Sequence, residues 1–139
     1  SMRGLASRSG ISVGGLYRYF HNKRFLAAQV FRRATEREVA AVAVAVTEGA
    51  DVHERLSHAV QQFVRRAQAA PKLAWALIAE PVAPEVDAER LRYRAAYSRL
   101  YRRMLEKGVA SGELPPQSTS LSAAALVGAI AEALVGPLA

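Results

Sequence analysis

An all-α fold is predicted by three features of the chain. Alanine, leucine, valine and arginine are abundant and fall in long stretches free of helix breakers. Apolar residues recur at helical spacing, most regularly at Leu56, Ala59, Val60, Phe63, Val64 and Ala67. Gly10, Gly49, Gly112 and the five prolines from Pro71 to Pro116 mark the joints between such stretches. With 139 residues, 51% of them hydrophobic and 22% charged, the chain can bury a core and is too apolar to be disordered.

Taken in order, Met2 to Ser9 predicts a short helix with Leu5 and Ala6 on its inner side, stopped by Gly10, which can take a positive φ. Ser12 is placed to cap a second helix from Val13 to Phe20, whose Leu16 and Phe20 face the same core as Ile11. Asn22 caps a third helix from Lys23 to about Val46, with Leu26, Val30, Ala34, Ala41 and Ala45 tracing one face, and Glu48-Gly49-Ala50-Asp51 ends it. A fourth helix spans Val52 to Ala70 and breaks at Pro71; Lys72 to Glu80 makes a short fifth. After the loop Pro81-Val82-Ala83-Pro84, a sixth helix covers Asp87 to Ala110, with Leu91, Tyr97, Leu100, Tyr101, Met104 and Leu105 facing inward. Ser111-Gly112 and Pro115-Pro116 form the next joint, and Ser118 or Ser120 opens a seventh helix toward Leu138.

Charge divides this chain unevenly. Ser1 to Arg33 holds seven Lys or Arg and no Asp or Glu, whereas the remainder is balanced at 12 against 12, so the whole formal charge of +7 sits in the first quarter. A basic head on a neutral body calls for a polyanionic partner at the head. The absence of cysteine excludes disulfides and thiolate chemistry and fits a reducing cytoplasm. No stretch reaches the roughly 18 uninterrupted apolar residues of a membrane span; Leu121 to Ala139 comes nearest but contains Ser122, Glu132 and Pro137. Arg3 and Arg8 are not followed by the apolar run of a signal peptide. We therefore expect no membrane partner.

Within the basic head, Gly10 to Lys23 (GISVGGLYRYFHNK) carries the strongest functional signal. A helix-turn-helix puts the start of its second helix into the major groove of double-stranded DNA. Here Gly10 supplies the turn, Ser12 starts the reading helix, and Val13, Gly14 and Gly15 occupy its first turn. Two glycines in so short a helix cost about 1 kcal/mol each against alanine, which suggests a close approach to the backbone. Arg18 can donate two hydrogen bonds to guanine, the phenols of Tyr17 and Tyr19 suit phosphate oxygens, and Lys23 sits at a helix N-terminus that favours an anion. Singly, each feature has an ordinary reading: a Gly-Gly loop, core tyrosines, solvated charges. Their ordered combination is what points to DNA.

The string ISVGGLYRYFHNKRFL resembles the helix-turn-helix signature of TetR-family transcriptional regulators, in which a Leu-Tyr-x-(Tyr/His)-Phe run precedes a Lys near the next helix start. The likeness is dense over Leu5 to Leu26 and follows the family's helix order beyond it. It implies a DNA-binding head over residues 1–38 and a helical ligand-binding and dimerisation body over residues 39–139. By the same likeness Ser12, Tyr17, Tyr19 and Lys23 contact phosphates, while Val13, Gly14, Gly15 and Arg18 lie nearest the bases. The family usually has Thr or Ser where Gly15 stands, so one hydroxyl contact is missing. The likeness also implies a head lacking its first helix, leaving Leu5, Ile11, Leu16 and Phe20 short of a packing partner, and a body lacking part of its C-terminal dimer helices.

For the body, the resemblance implies a cavity between helices for a small apolar or aromatic effector, with Phe63, Trp75, Tyr93, Tyr97, Tyr101 and Met104 as candidate lining. Ordinary core packing is the competing account of each. Tyr93, Tyr97 and Tyr101 form one stripe whose phenols can orient a ligand, bond to neighbouring helices or meet solvent. The arginines of that helix, including Arg90 and Arg92, read with Glu85, Asp87, Glu89 and Glu106 as a salt-bridged exposed face. The last helix, rich in alanine with Gly128 and Gly136, is the preferred homodimer surface. His21, His53 and His58 lack metal-ligand spacing and no phosphate-binding glycine loop occurs, so no catalytic residue, metal or cofactor is assigned. The expected function is a ligand-responsive repressor; the alternative is a helical ligand-binding or interaction module that does not bind DNA.

Overall fold

Caps and prolines set where the helices begin. A computed structural model, which describes residues 1–138, contains α1 (Met2–Ser9), α2 (Val13–Tyr19), α3 (Lys23–Ala45), α4 (Val52–Ala69), α5 (Pro71–Ile78), α6 (Pro84–Ser111) and α7 (Thr119–Leu138). The described residues hold seven helices and no strand, in the predicted all-α order; Ala139, the predicted far edge of the body, lies outside them. Gly10 turns the chain after α1 with φ 70° and ψ 11°, a left-handed conformation that costs glycine little. Ser12, Asn22 and Asp51 each accept the backbone N–H three residues on, at 3.0, 2.8 and 2.8 Å. Helix α6 starts a turn earlier than expected because Pro84 opens it, with Glu85 and Asp87 complementing the positive end of the helix dipole.

The hub of the fold is α6, packed on α3 and α7 and touching α4. Its inward stripe is Val86, Glu89, Tyr93, Tyr97, Tyr101, Met104, Leu105 and Gly108, spaced by three or four with Met104 and Leu105 adjacent. Phe31 and Val42 of α3, Ala59 of α4, Leu77 of α5 and Ala123 of α7 complete the main core. A separate small core joins α1 and α2 through Met2, Ala6 and Leu16, with Val13, Phe20 and Leu26 packed against it.

Several side chains expected inside lie outside. Leu5 and Ile11 are 43% and 47% exposed, because the head core is built from Met2, Ala6 and Leu16 instead. On α3 the buried face is Ala28, Phe31, Thr35, Val42 and Ala45, rotated from the expected one, and Val30 points to solvent. Leu91 is 63% exposed, since it falls on the far side of α6 from the Tyr93 stripe. The expected salt-bridged exposed face of α6 is also only partly external: Glu89 is buried and Arg90 nearly so. Arg90 donates to the carbonyls of Ala76, Leu77 and Glu80, capping the end of α5, and lies 5.9 Å from the centre of the Phe31 ring.

By length and composition α7 is apolar enough to cross a bilayer, with mean hydropathy 1.8. It lies instead along α6 and α5, burying Ala123 and Leu134 and leaving Leu121, Ala125, Gly128 and Glu132 exposed.

Where α6 meets the start of α4, a Cβ on Gly108 would stand 2.5 Å from Val52 Cγ2 and 3.1 Å from Leu114 Cδ1. Gly108→Ala should therefore destabilise the fold by about 1–2 kcal/mol, the overpacking cost outweighing the gain in helix propensity. A urea midpoint equal to or above that of the parent chain would remove this contact from the account.

Candidate nucleic-acid interface and body cavity

The head builds an outward-facing helix by local means. Ser12 takes an extended backbone conformation and its hydroxyl accepts the Gly15 N–H, which starts α2 immediately after the Gly10 turn. Leu16 alone is buried in α2 and anchors it on α1. Four-residue spacing brings Phe20 to the same side, where it ends the helix in extended conformation. The opposite side is left free: Tyr17 is 49% and Tyr19 72% exposed, and Ser12, Gly14, Arg18 and Lys23 are exposed as well. The possibility that the two tyrosines are core residues is thereby closed. Lys23 is the first residue of α3, in a turn with no acid.

Two of the predicted base-proximal positions differ from expectation in their surroundings. Val13 is half-buried against the head core. A Cβ on Gly15 would sit 3.0 Å from Ile11 Cγ2 and 3.1 Å from Ser12 Oγ, so a side chain there would need both neighbours to give by a few tenths of an ångström. Gly14, in contrast, faces open space, with nothing within 4 Å of where a Cβ would stand.

Not all of the head's charge is available to a partner. Arg32 grips Glu89 with two hydrogen bonds, Nε at 3.0 Å and Nη2 at 2.6 Å, and Arg24 lies 3.7 Å from Glu85. Arg92 adds a third hydrogen bond to Glu89 at 2.8 Å. The hydrogen bonds from Arg32, opposed by burial, hold the Glu89 carboxyl below the usual carboxylate range. These pairs tie the first half of α3 to the first turns of α6. Arg3, Arg8, Arg18, Lys23 and Arg33 have no ion-pair partner among the described residues.

In the body, Phe63, Tyr93, Tyr97 and Tyr101 come together around a cavity between α4, α5, α6 and α7. Leu77, Ile78, Val127, Ile130 and Ala131 complete its wall with Arg94 at the edge; none of the six is an expected lining residue, and helical periodicity marks the five apolar ones only as core. Trp75 is half-buried elsewhere on α5, and Met104 is buried further along α6; neither lines the cavity. The rings form one aromatic train. Phe63 meets Tyr97 edge-on at 5.4 Å, Tyr93 meets Tyr97 at 4.8 Å, and Tyr97 stacks on Tyr101 at 6.4 Å.

The cavity has a volume of about 20 Å³, room for a single water. Tyr93 donates its hydroxyl proton to Tyr97 Oη at 3.3 Å, whereas Tyr101 Oη, buried at 1% exposure, has no partner. An unmet buried hydroxyl costs about 1–3 kcal/mol. Burial pushes all three phenols well above the ordinary tyrosine range, Tyr101 to about 12. At neutral pH all three stay protonated in an apolar chamber. A second small cavity beside the first is lined in part by Tyr93 and Phe63 and reaches the bidentate Arg66–Glu38 pair, whose Nη2 contact is 2.8 Å.

Residues 49–134 match the family described as Tetracyclin repressor-like, C-terminal domain, and residues 1–30 match Bacterial regulatory proteins, tetR family. No curated protein matches the chain. Among solved structures, the fatty acid degradation regulator FadR from Bacillus halodurans superposes with a TM-score of 0.83 at 22% identity, over 99% of this chain and 76% of that one. The transcriptional regulator FadR from Bacillus subtilis, in complex with stearoyl-CoA, gives 0.84 at 19% identity over 98% and 75%. A TetR/AcrR-family regulator from Thermobifida fusca gives 0.71 at 18% identity over 99% and 82%. At these identities the structural likeness speaks for the fold, and the family assignment rests on the two matched segments. The two matched segments, one over the helix-turn-helix head and one over most of the helical body, make the chain a member of the TetR family of DNA-binding bacterial transcriptional regulators.

Proposed function

We propose that the protein is a cytoplasmic, ligand-responsive repressor rather than an enzyme, with a head of residues 1–38 that reads a double-stranded operator and a body of residues 39–139 that senses an effector. The observation that carries this reading is the free face of α2, where Arg18, Tyr17 and Tyr19 stand exposed in a stretch, Ser1 to Arg33, that holds no acid. In the complex Ser12, Tyr17, Tyr19 and Lys23 hold phosphates, Arg18 reads a base edge, and Gly14 and Gly15 let the backbone close on the groove with Val13 beside them. The exposed small-residue face of α7 joins two copies, setting their reading helices on half-sites about 34–36 Å apart or a multiple of that.

The effector is apolar and occupies the phenol-lined cavity. Because that cavity holds only about 20 Å³, binding must part α6 from its neighbours, and α6 is the helix tied to α3 by Arg32–Glu89. An occupied body thus favours a different setting of the heads, a shift in population between two arrangements. The stearoyl-CoA held by the Bacillus subtilis structure supports an acyl-type effector here.

The test is selection of bound sequences from a random duplex library, followed by fluorescence anisotropy of the enriched duplex at several salt concentrations. An enriched inverted repeat, with affinity falling linearly on a log–log salt plot, is the expected result. Failure to enrich any sequence, together with salt-independent or absent binding, would leave the protein as a helical binding module.

A further inference from the structure

A groove on the body lies apart from both α2 and the phenol-lined cavity. It runs between the last turns of α3 and the second half of α6, with a volume of about 600 Å³. Val46, Leu100 and the buried Met104 give it an apolar floor, and Arg55, Arg103 and Lys107 are its charged residues; no acid lines it. Arg103 and Lys107 are four residues apart on one face of α6, and neither has an ion-pair partner among the described residues. Their neighbour Arg102 is engaged by Glu106 at 3.3 Å. Arg55 is held by the carbonyls of Gly49 and Ala50, which fix its position without neutralising it. The groove shares no residue with the phenol-lined cavity, and unlike that cavity it is already open at the size of a small ligand.

We propose that this groove is a second ligand site, taking a small amphiphilic anion. An aromatic or short aliphatic body lies on Leu100 and Met104, and a phosphate- or sulfonate-type group is held by Arg103 and Lys107. A guanidinium supplies paired donors to such a group and an ammonium supplies a point charge, a combination suited to a tetrahedral anion. The apolar floor excludes water on one side and strengthens both contacts.

The experiment titrates the whole chain with 1-anilinonaphthalene-8-sulfonate and, separately, with N-phenyl-1-naphthylamine, which has the same rings and no charge. R103Q/K107Q should weaken the sulfonate probe by about tenfold, the weight of a charge-assisted contact, and leave the neutral probe unchanged. Inorganic pyrophosphate should displace the sulfonate probe from the parent chain. A43E, which keeps both cations but places a carboxylate in the groove wall, should give the same loss. Unchanged affinity in either variant overturns the site. So does a lower thermal midpoint with unchanged affinity, since the two cations would then serve the C-terminal end of the α3 dipole instead.

Discussion

Raising the pH from 10 toward 12 is expected to unfold the body cooperatively. Tyr93, Tyr97 and Tyr101 are buried with their hydroxyls protonated, and burial lifts each of them, Tyr101 to about 12 and the other two further. In the unfolded chain a phenol ionises near 10. Above that pH the unfolded state binds fewer protons than the native one, so stability falls as pH rises. The contribution is fully present below pH 10 and is lost through the window above it. Each phenol removes about 1.4 kcal/mol per pH unit, so three together remove about 4, against a total of roughly 5–15 kcal/mol for a typical domain. Absorbance at 295 nm and ellipticity at 222 nm, followed across this range, should show the buried phenolates appearing as helix is lost. Complete phenol ionisation with the helices intact would show that these side chains are not enclosed. Tyr101→Phe should reduce the slope by about a third. It should also raise stability at neutral pH by about 1 kcal/mol, because the hydroxyl it removes has no partner.

The second large effect concerns DNA. Gly14→Glu should leave the fold intact, since a Cβ at this position meets nothing within 4 Å and helix propensity improves. It should nevertheless weaken operator binding by about 100-fold or more, because a carboxylate would stand among phosphates at the closest point of approach. Gly14 is the cleaner position than Gly15, where a side chain would also press on Ile11 and Ser12. Two milder variants separate reading from holding. Lys23→Ala should weaken operator and random duplex alike and lower the salt slope by about one, whereas Arg18→Ala should cost about 1–3 kcal/mol and relax preference at one base position. Anisotropy with both duplexes distinguishes these outcomes. Equal loss for both variants on both DNAs would contradict the roles given to them, and unaltered binding by the Gly14 variant would move the interface away from α2.

Local signals carried the head and the helix borders. The Gly10 turn, the Ser12, Asn22 and Asp51 caps and the proline at the start of α5 each act within one turn of chain, so reading them needs no knowledge of the fold. Exposure of Tyr17 and Tyr19 beside a buried Leu16 follows from α2 having one anchor four residues from Phe20. Periodicity was less reliable where apolar residues surround a helix. On α3 and α6 more positions are apolar than either helix can bury, and only packing chose Phe31 over Val30 and Tyr93 over Leu91.

By itself, then, the amino-acid sequence determined the helical class, the succession of elements and a basic helix-turn-helix head. Each of these depends on residues within a turn or two of one another, or on composition. The tertiary structure alone decided that Arg32 and Arg24 belong to acids of α6, with Arg32 and Glu89 lying 57 residues apart. It alone gathered four of six candidate aromatic and sulfur side chains around one small chamber and set Trp75 and Met104 aside. Such choices depend on how helices cross, and crossing is settled by the whole core at once.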